Sequence, residues 1–151
     1  MVAWRYLLAT FTIIAICAAS PAIAHESPTG CKITDQEFVS QLSTMKDWKT
    51  IYAVFKRNFP GCPDDGMFAE GYSDVIVRAL AKRWDDGREL KNITDRDPAF
   101  RAFVLRHIDA TTDPDELNQA LKNAMEKCPV GASRLCKELA TNATAAIKEM
   151  K

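Results

Sequence analysis

Apolar residues recur along this chain at intervals of three and four, the spacing of one face of an α-helix. Trp48, Ile51, Tyr52, Phe55 and Phe59 form one such stripe, opened by Asp47 and stopped by Pro60-Gly61. Phe68, Tyr72, Val75, Ile76, Ala79, Leu80 and Trp84 form a longer one, predicting a helix from Met67 to Trp84. Glu70, Asp74, Arg78 and Lys82 fall on its other side at four-residue spacing. Behind the start signal Asp97-Pro98 come Phe100, Phe103, Val104, His107 and Ile108. Behind Asp113-Pro114-Asp115-Glu116, which reads as a capping box, come Leu117, Leu121, Ala124 and Cys128. Ser133 is placed to cap a last helix with Leu135, Cys136, Leu139, Ala143 and Ile147 inward. Thr34, with Glu37 three residues on, opens an earlier helix carrying Phe38 and Leu42, and a break is expected at Thr44–Lys46. Asp85-Asp86-Gly87 ends the long helix, and a short helical piece follows over Arg88–Ile93. No stretch alternates apolar and polar residues between hairpin turns. The pattern therefore predicts an all-α fold: a single compact, bundle-like domain of five or six helices joined by short loops. Gly71 interrupts the longest stripe at a cost of about 1 kcal/mol relative to alanine. Such a glycine is either tolerated or lets another element approach closely.

The first 24 residues do not belong to this pattern. One positive side chain, Arg5, precedes the uncharged run Leu7–Ala19. Ser20-Pro21 breaks that run, and Ala22-Ile23-Ala24 fits the small-x-small cleavage rule. The run is shorter than the roughly 20 residues of a transmembrane helix. Residues 1–24 thus read as a signal peptide cut before His25, and residues 25–151 as the helical domain. Cys17 follows Ile16, which lipoprotein processing does not favour. The expected location is the periplasm, or the secreted fraction if the source is not Gram-negative.

Export changes the meaning of the cysteines. Cys31, Cys62, Cys128 and Cys136 remain after cleavage, and an even count in an oxidising compartment implies two disulfides. Three pairings are open. The local one joins Cys31 to Cys62 and Cys128 to Cys136. Cys128-Pro129-Val130-Gly131 reads as a helix end and a turn, and such a turn brings the last two cysteines near each other.

Composition narrows the function classes. The chain is 47% hydrophobic and 26% charged, which excludes a disordered or fibrous chain. Lys plus Arg and Asp plus Glu number 20 each, and losing Arg5 leaves the mature chain one negative charge. Non-specific binding to nucleic acid or an anionic bilayer needs a cationic excess, so neither is expected. No Cys-x-x-Cys, Gly-x-Ser-x-Gly or His-Glu-x-x-His occurs, so no metal, cofactor or catalytic set is expected. His107, on an apolar stripe, reads as a packed histidine. An enzyme or small-ligand carrier would need Glu70, Asp74 and His107 in one pocket. The candidates for contact with a protein partner are Asp64 and Asp65 in the Gly61–Gly66 loop, and Trp84, Asp85 and Asp86 in the turn after the long helix. Nothing in the pattern decides whether the chain dimerises.

Several segments carry a resemblance: Glu70-Gly71-Tyr72-Ser73-Asp74, Arg83-Trp84-Asp85, the run from Asp97-Pro98 through Thr111, and Cys128-Pro129 with Leu135-Cys136. They resemble an exported proteobacterial helical family of unassigned function. In size, export, helices and disulfides the chain is also similar to periplasmic immunity proteins of type VI secretion systems, which neutralise cell-wall-degrading effectors. That similarity is architectural and assigns no inhibitory residue. It implies a periplasmic binding protein that blocks a partner by protein–protein contact. The alternative is an envelope structural or stress protein with no dedicated toxin partner.

Overall fold

The computed structural model describes residues 30–151. The signal-peptide reading and His25 lie outside that range. The described chain holds seven α-helices: α1 (Asp35–Leu42), α2 (Trp48–Asn58), α3 (Gly66–Lys82), α4 (Gly87–Arg96), α5 (Pro98–Arg106), α6 (Pro114–Glu126) and α7 (Ser133–Glu149). A single 3₁₀ turn, Trp84–Asp86, joins α3 to α4. No strand occurs among the described residues. The count exceeds five or six because the expected short piece at Arg88–Ile93 is a ten-residue helix in its own right.

Capping chemistry sets most of the helix starts. Thr34 and Glu37 bond reciprocally across the first turn of α1, and Asp47 does the same with Thr50 in α2. Asp97 accepts from the Phe100 amide at 3.0 Å, with Pro98 at the first helical position of α5. Asp113 accepts from the Asp115 and Glu116 amides, but Glu116 does not reach back; it turns to Lys82 and Arg78 of α3 instead. One further start and one helix end differ from the sequence reading. Ser133 is the first residue of α7 rather than its cap, and Ala132 stands in the cap position with no side-chain bond. His107 follows the last turn of α5 as its C-cap, because the helix stops at Arg106.

α3 is the central helix. Phe68, Tyr72, Ser73, Val75, Ile76, Val77, Ala79, Leu80 and Ala81 are all buried, leaving Glu70, Asp74, Arg78 and Lys82 as a narrow polar stripe. α6 packs along α3 and α7 along α6, the two most extensive helix pairings. α1 crosses α3 at Gly71, where an added Cβ would lie 2.8 Å from the Phe38 ring and 3.1 Å from Leu42. The glycine is thus used for close approach. A run of rings fills the space between α1, α2, α3 and α5. Phe38 stacks on Phe68 at 4.2 Å, Tyr72 meets Phe103 edge-on at 5.0 Å, and Phe55 contacts Phe103 at 4.8 Å.

Polar ties hold the helices in register. Asn123 of α6 is buried and donates to the Leu80 and Ala81 carbonyls, both at 2.9 Å, satisfying acceptors at the C-terminus of α3. Arg101 of α5 pairs with Glu138 of α7. Two disulfides complete the domain, Cys31–Cys62 and Cys128–Cys136, and they are the sequence-local pairing. Disulfides of this kind fit an oxidising, extracytoplasmic environment. No helix among the described residues is long and apolar enough to cross a membrane.

Candidate functional site

The loop after α2 and the turn after α3 were the two expected contact regions, and they have different fates. The first is tied down. Cys62 is bonded to Cys31, and a Cβ on Gly61 would strike the Gly30 carbonyl. The Asn58 carbonyl accepts from the amides of both Gly61 and Cys62. Asp64 turns inward, where one carboxylate oxygen pairs with the Arg106 guanidinium. The other oxygen lies 3.0 Å from Nε2 of His107 and has no hydrogen-bond partner among the described residues. Asp64 thus ties the loop to the end of α5 rather than standing free in solvent. Asp65 is exposed at the start of α3 with no side-chain cap bond.

His107 is 2% exposed and sits edge-on to Tyr72 at 5.5 Å. Its Nδ1 lies 2.8 Å from the Phe103 carbonyl, an acceptor, so Nδ1 carries the proton. Burial pushes its pKa below the usual histidine value of 6.5, although the Phe103 carbonyl and Asp109 resist that shift. The Arg106 charge acts in the same direction as burial. Glu70 is exposed, and among the described residues Asp74 bonds only to Arg78. No hydrogen bond or ion pair among the described residues joins Glu70, Asp74 and His107; His107 is packed against the Tyr72 and Phe103 rings. Among the described residues no group of His, Cys, Asp and Glu is arranged to hold a metal ion.

The second region, after α3, is open to solvent on one side and anchored on the other. Trp84 is the correction here: it is only 9% exposed, and its indole N–H donates to the Lys127 carbonyl at 2.5 Å. It is an anchor rather than a contact residue. Gly87 is buried against Pro129, where a Cβ would come within 3.2 Å of the proline ring. Gly131 takes φ +78° and lies over the Lys91 side chain. The turn at residues 128–132 is thereby seated on the start of α4 and closed by the Cys128–Cys136 bond. Asp85 and Asp86 are exposed in the first turn, and Val130 is 97% exposed in the second. The sequence reading missed Val130 because a valine between proline and glycine looks like turn filler. Only its exposure on a disulfide-closed turn marks it.

A cavity of about 570 Å³ lies between α2 and α4, lined by Lys49, Tyr52, Arg88, Glu89, Asn92, Ile93 and Arg96. The sequence held a signal for it: Arg88, Asn92 and Arg96 recur at four-residue intervals and so share one helix face. No protein-family model, curated protein or solved structure matches the chain.

Proposed function

We propose that this is a periplasmic binding protein that inhibits a secreted, cell-wall-targeting effector by protein–protein contact, in the manner of an immunity protein. The observation that supports it is the paired edge: the acidic turn Asp85–Asp86 beside the disulfide-closed turn carrying Val130. Trp84, Gly87 and Pro129 fasten the two turns to each other. A rigid turn loses little conformational freedom on binding, so more of its contact energy appears as affinity. Burying Val130 from nearly full exposure contributes about 1.5 kcal/mol or more. Asp85 and Asp86 supply a local negative field that favours a basic partner surface and speeds encounter.

Purified products of the adjacent genes, mixed with the oxidised protein, test this reading. One of them should form a 1:1 complex and lose its hydrolysis of peptidoglycan. Val130→Asp combined with Asp85→Lys and Asp86→Lys should restore that hydrolysis. No complex with any neighbouring product, together with an envelope defect on deletion of the gene, would replace inhibition by a structural envelope role.

A further inference from the structure

The cavity between α2 and α4 lies outside the paired edge and has its own chemistry. Its lining carries three cations, Lys49, Arg88 and Arg96, against one carboxylate, Glu89. Glu89 is engaged by Lys49 at 3.3 Å across the groove. Arg96 uses Nε on the Asn92 carbonyl at 2.8 Å, leaving its terminal nitrogens without a bonded acceptor among the described residues. Arg88 has no hydrogen-bonded or ionic partner among them. Arg88, Asn92 and Arg96 follow one another at steps of about 6 Å along one wall of the groove, so the two arginines stand about 12 Å apart at the helix axis, a gap their long side chains close on one anion. The apolar surface comes from Ile93 and the Tyr52 ring. That ring is held in place by its hydroxyl, which donates to Asp97 at 2.9 Å, and by edge contact with Phe100 at 5.0 Å. Lys56 also bonds Asp97, at 3.2 Å, so that carboxylate is already satisfied and does not cancel the groove's charge.

We infer that this groove binds a small amphiphilic anion, its carboxylate, phosphate or sulfonate group on Arg88 and Arg96 and its apolar body on Tyr52 and Ile93. The volume lies within the usual 300–1,000 Å³ of small-ligand sites. Guanidinium groups are suited to such anions because their planar fork donates two parallel hydrogen bonds. Apolar surface beside the cations distinguishes this groove from a purely electrostatic patch, which would hold inorganic phosphate as well as anything larger.

The probe is 1-anilinonaphthalene-8-sulfonate, titrated by fluorescence and calorimetry against the oxidised, natively folded protein. Two further probes separate the contributions: N-phenyl-1-naphthylamine has nearly the same rings without the charge, and inorganic phosphate has the charge alone. One sulfonate should bind per chain, and each of the other two should bind at least tenfold more weakly. R88Q combined with R96Q should weaken the sulfonate at least tenfold with the helical circular dichroism unchanged. K137Q combined with K148Q, and Val130→Asp at the paired edge, should leave it unaltered. Should the arginine variant fail to fold, backbone chemical shifts of the native protein on titration serve instead, and they should move at Tyr52, Asn92 and Ile93. Equal affinity in the arginine variant, equal affinity for the uncharged amine, or shifts confined to other helices would overturn the inference.

Discussion

Removing the two disulfides one at a time separates what holds the fold from what holds the paired edge. Cys31–Cys62 spans a sequence separation of 31 and Cys128–Cys136 one of 8. Loop-closure entropy then gives about 3.7 kcal/mol for the first bridge and about 2.5 kcal/mol for the second. Alanine at both cysteines of a pair avoids adding a buried hydroxyl. Urea unfolding followed by far-ultraviolet circular dichroism should therefore place Cys31→Ala/Cys62→Ala about 1.2 kcal/mol below Cys128→Ala/Cys136→Ala. Binding should rank the variants the other way. Opening the 128–136 loop frees the turn that presents Val130, and re-ordering it on contact costs about 1 kcal/mol or more, roughly fivefold in affinity. Opening Cys31–Cys62 unties the segment before α1 from the loop after α2, neither of which the edge uses. Isothermal titration with the partner, at a temperature where both variants remain folded, reads the difference. The same ranking in stability and in affinity would refute a separate role for the second bridge.

Gly71→Ala should destabilise the protein despite the better helix former, because the new methyl meets Phe38, itself held by Phe68 and Tyr72. The helix gain of about 1 kcal/mol opposes an overpacking cost of about 1–3 kcal/mol. In a Phe38→Leu background, which opens that space, the sign should reverse in the same urea assay. Asn123→Ala leaves the Leu80 and Ala81 carbonyls without their donor and should cost about 2–4 kcal/mol, measured as a fall in the urea midpoint. His107 has a folded pKa below its unfolded value, so the unfolded chain binds more protons. Its contribution is fully present above the unfolded value of about 6.5 and is lost as pH falls from there toward the folded value. His107→Gln should flatten the stability profile in that window, and a slope unchanged by the substitution would contradict the buried, neutral histidine.

The helical class was legible in the sequence because it depends on local signals, whereas of the three disulfide pairings the sequence leaves open the structure shows the sequence-local one. Three-and-four spacing marked the faces of α2, α3 and α5, and Asp47, Asp97 and Asp113 marked their own helix starts. Gly71 was legible as a choice between tolerance and close approach, and the position of α1 decides it. What stayed hidden depends on contacts distant in sequence. Asp64 looked like a free loop carboxylate because nothing nearby announces Arg106 and His107, more than 40 residues on. Trp84 looked exposable after an acidic turn because its acceptor is the Lys127 carbonyl, 43 residues away. Ser133 lost its capping role because the 128–132 turn brings the chain in with Ala132 at the cap. The groove was hidden for a related reason. One wall is a regular pattern on α4, but Lys49 and Tyr52 reach it only once α2 packs alongside.

Hydrogen exchange of the complex between this protein and the effector proposed as its partner tests the paired edge most directly. Amides of residues 84–88 and 130–132 should slow at least tenfold on complex formation, while those of residues 61, 62 and 64–66, in the loop tied to α5 through Asp64, should not change. Protection centred on residues 61–66, or spread evenly over all seven helices, would contradict binding through the edge.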